Sequence, residues 1–421
     1  MVRICYSKPR ISERHIKLVA LVGIMALMAF SSCHVKRGPK MFDPATVAFT
    51  ASYNPLFDNQ LYPSLILATQ SLSHADTQPL FSVTLTAPAD NSVLRVVVDS
   101  SSLNYVTILQ EILPRRGEQY TFTAPLKWKY EVLRRMRQPS SVDVTFTCYI
   151  NDEEVDIKNL HLACRTVNEC PLSLLHDGQI VDFRWLFAAY VNEDHPQIEQ
   201  ILTDIIDQGT VNRLVGYQGT EANVRDQVFA VWYYALDHGI AYSSISCTSN
   251  PSPRANVQHI RFFDEVWNSR QANCVDACVF FASILRKLGL KPVIFVEPCH
   301  AYLGYYTDRN RKNIALLETT ITSWVNFPEL ERSLDEEGRL PEAKFEKVRK
   351  YLSDEEEQRY EAGSMTFEQL KKAVARSLFD KATEYDKETY ETNRTHFTEG
   401  DVITYQMLDI ETIRKQVQPI N

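Results

Sequence analysis

Apolar residues recur along this chain with two different periods, and the change from one to the other divides it into regions. From Ala45 to Leu162 they fall at every second position, as in Phe81, Val83 and Leu85 or in Val142, Val144, Phe146, Cys148 and Ile150. Asn151 and Asp152 then make a turn before Val155 and Ile157. Alternation broken by Pro, Asn, Asp and Gly about every ten residues predicts short half-buried strands, and so an all-β sandwich over residues 45–165. Within it, Tyr130 to Arg137 reads as one helical piece crossing between the sheets. No catalytic combination of residue types occurs here, which leaves a binding or spacing role.

After a linker expected at Arg165 to Pro171, the period becomes helical. Asp194 can cap a helix with Pro196 in its first turn and Ile198, Ile201, Leu202, Ile205 and Ile206 on one face. Val224, Val228, Trp232, Ala235 and Leu236 form a second stripe, ended by Gly239. The segment from Gln271 to Ile321 comes next. It is apolar nearly all round from Val275 to Leu288, which predicts a buried helix stopped by Lys287, Gly289 and Pro292. An extended stretch follows over Pro292 to Val296, is interrupted by Pro298 and resumes from His300 to Tyr306. Helices before the cysteine-bearing helix and strands after it predict an α+β domain over residues 171–330. Beyond Trp324 the runs SLDEEGRL, KFEKVRKY and SDEEEQRY read as solvated helical faces. Residues 331–421 are thus expected as a charged helical extension packing on that domain. Phe367, Leu370, Val374 and Leu378 mark its amphipathic helix, and Leu408, Ile410, Ile413 and Val417 a terminal helix that docks back.

Composition adds limits. A chain of 421 residues, 44% hydrophobic and 23% charged, has room for several domains with cores of their own. A net charge of -8 excludes a nucleic-acid partner bound through clustered Lys and Arg. At the N-terminus Arg3, Lys8, Arg10, Arg14 and Lys17 precede the apolar run Leu18 to Phe30, then Ser31, Ser32 and Cys33. The run is short for a spanning helix and has the order of a secretory signal. Its end resembles the lipobox of bacterial lipoproteins, with Phe30 where Leu is usual. That resemblance implies a signal peptide over residues 1–32, lipidation of Cys33 and a tether over residues 33–44. The body would then be exported and membrane-anchored, in a bacterial periplasm or at a cell surface. A signal cut nearby, or an uncleaved anchor, would leave Cys33 incidental. Nine cysteines in an exported chain invite disulfides. Cys164 and Cys170 are near enough in sequence for a local bridge, and most of the others are expected as small buried apolar residues.

The chemistry concentrates after Gln271. Asn273 suits an N-cap, which puts Cys274 at N1 and Asp276 at N3, close to a capping box. A thiol at a helix start meets unpaired N–H groups and the positive end of the dipole, and both favour the thiolate. An ionised Asp276 opposes this, so its expected part is the cap. If Asp308, Arg309 and Asn310 make a three-residue loop, Thr307 pairs with Arg311 and His300 stands opposite Glu318. A two-residue change of register keeps that pair on one face, whereas a one-residue slip separates it. Nucleophile, base and a group that orients the base are then all present. The sharpest rival is zinc held by Cys274, Cys278, Cys299 and His300, weakened because adjacent strand residues point to opposite faces.

The run NCVDACVFFASILRKLGLKP, followed by HAYLGY and LLETT, resembles the transglutaminase-like superfamily, a circularly rearranged relative of the papain-type fold. Cys274, Leu285-Arg286, Gly289, His300 and Glu318 fall on its motif positions. Glu318 replaces the usual Asp, and Cys299 stands where a non-thiol is usual. The resemblance implies a papain-like fold for residues 171–330 and catalysis by Cys274, His300 and Glu318 through a thioester. It implies no cofactor and no metal, and a protein, peptide or cell-wall peptide as substrate. Gln258 and Trp267 are upstream candidates to share an oxyanion with the Cys274 backbone N–H. The expected activity is that of an exported, lipid-anchored thiol hydrolase or acyl transferase acting on peptide-like amides. The alternative is a cell-envelope binding or scaffold protein, in which the β-sandwich holds a glycan or protein and the thiol domain is inert.

Overall fold

The computed structural model describes residues 42–72, 79–244, 248–399 and 404–420. The expected signal peptide, Cys33 and the tether up to residue 41 therefore lie outside the described residues. Among the described residues, no helix is long and apolar enough to cross a membrane. The architecture is mixed α/β and multidomain, with several β-sheets.

In the first region alternation becomes strand. Phe81–Thr86 buries Phe81, Val83 and Leu85, and Ser140–Ile150 buries Val142, Val144, Phe146, Cys148 and Ile150. One sheet orders Phe49–Tyr53, Phe81–Thr86 and Gln119–Thr123. A second orders Gln60–Leu61, Glu153–Cys164, Ser140–Ile150, Ser92–Val98 and Thr107–Leu113. The two meet where the ring of Phe81 packs 5.8 Å from that of Phe146. Asn151 and Asp152 both take positive φ, 50° and 64°, which suits the two-residue turn of a right-twisted hairpin. A register shift between Glu154 and Asp156 follows, and Ile157 is left exposed although the alternation included it. The helical piece is the short helix Tyr130–Arg134.

Arg165 to Pro171 is not a linker. The strand Glu169–His176 begins inside it and pairs with Ala255–His259, and Asn168 and Glu169 are buried. Their polar groups are satisfied internally. Asn168 Nδ2 donates to the Ile260 carbonyl at 2.9 Å, and Glu169 Oε2 accepts from Thr166 N at 2.9 Å. The helix Pro196–Asp207 buries Ile198, Ile201 and Ile205, but its cap is His195, whose Nδ1 accepts from Gln197 N. Asp194, expected there, pairs with Lys287 at 3.4 Å instead. The helix Glu221–Asp237 is buried nearly all round, and its Trp232 stacks 5.9 Å from Phe281 of the helix Cys274–Lys287.

The sheet beside the cysteine helix is antiparallel throughout, in the order Ile314–Leu317, His300–Tyr306, Pro292–Glu297, Gln406–Asp409. Pro292 to Val296 is apolar at every position because both faces of that strand are covered. Ile294 and Val296 join the core that includes the cysteine helix. Val293 and Phe295 join a smaller cluster with Tyr302 and Leu316, closed by Tyr390 and Phe397 of the helix Lys387–Glu399. The helix Phe367–Glu384 buries Phe367, Leu370, Val374 and Leu378 as its stripe predicts. The stripe beginning at Leu408 does not make a terminal helix. It makes the fourth strand, Gln406–Asp409, and the single turn Ile410–Ile413. Over so few residues the helix and strand periods are indistinguishable, and the unpaired edge of Pro292–Glu297 decides for strand.

Gly304 marks how closely this sheet is packed. A Cβ there would lie 2.7 Å from Phe295 Cε2 and 3.3 Å from Ile314 Cδ1. The Phe295 ring cannot yield, since it stacks on Tyr302 at 5.1 Å and meets Tyr390 and Phe397 edge-on. Gly304→Ala is therefore expected to lower unfolding free energy by about 1–3 kcal/mol, the usual cost of overpacking. Urea denaturation reads this directly; an unchanged midpoint would show that the sheet yields.

Candidate active site

The cysteine helix is fixed at both ends before any chemistry is considered. At its start Asn273 accepts from Asp276 N at 2.8 Å and Asp276 Oδ2 accepts from Asn273 N at 3.0 Å, a reciprocal capping box. Asp276 is fully buried, and it also accepts from Arg261 N and from Arg261 Nη1, each at 2.8 Å. Its charge is thus spent on the cap and on Arg261, not on the neighbouring thiol. Burial still pushes its carboxyl above the ordinary range, with the Arg261 and Asn273 hydrogen bonds pulling the other way. At the far end Gly289, at φ 75°, closes a Schellman motif: Leu290 N donates to the Leu285 carbonyl and Gly289 N to that of Arg286. Cys274 sits at N1, partly exposed, ahead of a helix body that is almost wholly buried.

The histidine arrives by a reversal, not by a resumed strand. Glu297 pairs directly with His300, so Pro298 and Cys299 are the two central residues of a tight hairpin turn. Proline suits the first of these positions, and Cys299 takes the second with φ 63°, a left-handed conformation more often given to Gly or Asn. The next loop is longer than the three residues expected. Thr307 N donates to the Asn313 carbonyl, and Asp308 gathers the loop by accepting from the backbone N–H of Asn310, Lys312 and Asn313 at 2.8–3.0 Å. Leu303 consequently pairs with Leu317, a register two residues from the expected one. His300 and Glu318 become diagonal neighbours on one face, a separation that only a long side chain spans.

Glu318 spans it. The strand ends at Leu317, and Glu318 caps the short 3₁₀ helix Thr319–Ser323, its Oε1 accepting from Thr320 N at 2.7 Å. Its Oε2 lies 2.7 Å from His300 Nε2. Its backbone N–H donates to the Ala382 carbonyl at 2.8 Å, tying it to the helix Phe367–Glu384. The methylene that distinguishes Glu from Asp is used in reaching both partners at once. Burial pushes the Glu318 carboxyl up, but the hydrogen bonds from His300 and Asp386 outweigh it and hold the group below its ordinary value. Ionised, it accepts a hydrogen bond from Nε2–H, which leaves Nδ1 as the nitrogen open to a proton from Cys274. Burial alone would lower the His300 imidazolium; the hydrogen bonds to Cys274 and Glu318, with their charges, bring it up to about 10.

Asp386 completes the group and was not anticipated. It lies just past the helix Phe367–Glu384, is buried, and hydrogen-bonds to Glu318. Burial first, then the hydrogen bond and charge of Glu318, push its carboxyl up to about 8. In the sequence it stands in the charged run Glu384 to Glu388, with nothing to separate it from solvated neighbours.

Donor atoms of His300, Glu318 and Asp386 all lie within 4.8 Å of one another. The 2.7 Å between Nε2 and Oε2 is a hydrogen bond, shorter than the roughly 3.0–3.4 Å between two donors bound to one zinc at about 2.0–2.1 Å. The cysteines weighed as zinc ligands do not join this set. Cys278 is buried one turn along the helix, and Cys299 is exposed in its turn. Cys164 and Cys170 are free buried thiols, so the local bridge does not form. Gln258 Nε2 donates to the His259 carbonyl, and Trp267 is stacked between Tyr234 and Arg270. Both are occupied in local packing.

A scan against protein-family models matched no family, and a search of the curated proteins found no match.

The raised Asp386 carboxyl has a thermodynamic sign. Between its ordinary value of 3.8 and about 8 the folded state keeps a proton that the unfolded state releases, so stability contributed by this group falls as pH rises through that window. Asp386→Asn is expected to flatten that part of the pH dependence. Denaturation midpoints measured across the window in both proteins test it; identical slopes would refute it.

Proposed function

We propose that this chain is a thiol hydrolase or acyl transferase acting on peptide-like amide bonds, built on a transglutaminase-like, papain-related domain preceded by a β-sandwich. The observation that carries the reading is the arrangement itself: a partly exposed thiol at the first turn of a buried, capped helix, close enough to an imidazole to help raise it, and that imidazole hydrogen-bonded through Nε2 to a buried carboxylate. Nothing in packing alone requires these three polar groups to meet.

In this mechanism the thiol proton passes to His300, and Cys274 sulfur attacks the amide carbonyl carbon. Negative charge collects on the carbonyl oxygen, where the Cys274 backbone N–H, unpaired within its own helix, can donate to it. His300 gives its proton to the departing amine, the C–N bond breaks and a thioester remains on Cys274. Water, or a second amine, is then deprotonated by His300 and attacks the thioester, which restores the thiol. Glu318 keeps Nε2 protonated and the ring aimed throughout. The same contacts that raise His300 to about 10 stabilise the imidazolium it becomes on taking the thiol proton, while the carboxylate stays ionised. The order of basic residues, apolar run, Ser31, Ser32 and Cys33 supports export and a lipid anchor, and hence a protein, peptide or cell-wall peptide as substrate.

Alkylation by iodoacetamide at mildly acidic pH checks the assignment without knowledge of the substrate. Cys274 is expected to react selectively, with His300→Ala slowing it by about 100-fold, the scale of general-base assistance. Cys299, exposed but without such a partner, is the internal control. Equal labelling of Cys274 and Cys299, unaffected by His300→Ala, would favour an inert scaffold. Cys274→Ala should abolish turnover on a panel of peptide and cell-wall substrates.

A further inference from the structure

We infer that Asp386 is a positioning residue of this site: as a protonated acid it donates a hydrogen bond to Glu318 and so holds that carboxylate against His300. The inference rests on the reading of Cys274, His300 and Glu318 as a reacting set, and adds a fourth member from the C-terminal region.

The geometry carries it. Glu318 is wholly buried and already accepts from His300 and from Thr320 N. Asp386 is only 6% exposed, its side chain lies within 4.8 Å of those of Glu318 and His300, and its Oδ2 meets no hydrogen-bond partner. Two carboxyl groups in hydrogen-bond contact away from water cannot both be ionised, so the pair shares one proton. Glu318 has donors on both oxygens and keeps the charge; Asp386, whose Oδ2 meets no donor, keeps the proton. The groups facing Asp386 agree. Glu318 and Glu297 disfavour a second negative charge there and His300 favours it, while Cys278 and Tyr302, both pushed up and held neutral, face it without charge. The fold also brings Asp386 here through the bond from the Glu318 N–H to the Ala382 carbonyl, in the last turn of the helix that Asp386 follows.

Loss of that proton leaves two adjacent carboxylates, whose repulsion turns Glu318 away from the ring. Wild-type reactivity of Cys274 is therefore expected to fall as pH rises past about 8, where Asp386 ionises. The test compares wild type, Asp386→Asn and Asp386→Ala, each verified to unfold cooperatively. Asn keeps a donor of the same shape, so Cys274 alkylation should stay within about threefold of wild type at neutral pH and lose the alkaline decline. Ala removes the donor and should slow it about tenfold, the worth of one hydrogen bond to a charged group. Asn as slow as Ala, or Ala as fast as wild type, overturns the inference. An infrared band of a protonated carboxyl, present in wild type at neutral pH and missing in Asp386→Asn, reads the proton independently of the thiol. If that band is present while Cys274 proves inert, the acyl-transfer reading fails and the shared proton stands. If it is absent from wild type, the shared proton is refuted whatever the thiol does.

Discussion

A carboxylate taken fully out of water costs several kcal/mol unless its oxygens are met, and Glu318 is taken fully out of water. Most of the surrounding structure answers that single demand. The 3₁₀ turn that follows Glu318 supplies a backbone N–H, the histidine strand supplies an imidazole N–H, and the C-terminal region supplies a carboxyl. Three distant segments of sequence are thereby drawn to one point. The same demand explains the length of this acid: the loop ordered by Asp308 sets a register that puts His300 a diagonal step away, which Glu spans.

The cysteine helix answers a parallel constraint. A helix apolar on every side has to be buried, and burying its start leaves backbone donors to satisfy. Asn273 and Asp276 satisfy them reciprocally, and Arg261 neutralises the acid that results. The thiol can stand at the end of such a helix because the polar work there is done by its neighbours. Its partial exposure is then a property of position, with the core immediately behind it.

Legibility in the sequence followed the range of the forces involved. Asn273, Cys274 and Asp276 were readable because a capping box acts within one turn, and the Cys274–Lys287 helix because its apolar character is local. The pairing of His300 with Glu318 was readable as a face but not as a register, since the loop length depends on how many N–H groups one aspartate collects. The strand Gln406–Asp409 was mistaken for helix because its identity depends on a vacant edge elsewhere. Arg165 to Pro171 was mistaken for a linker because its polar residues find partners far along the chain. Asp386 was invisible for the same reason: a buried acid and a solvated one are written with the same letter, and only the tertiary neighbours tell them apart.

The closing strand has a consequence in time. Cys274 and His300 are synthesised well before Asp386 and before the strand Gln406–Asp409 that covers the edge of Pro292–Glu297. A growing chain therefore carries Cys274 and His300 before the segments that complete their surroundings, and the buried group of His300, Glu318 and Asp386 is among the last features the chain assembles.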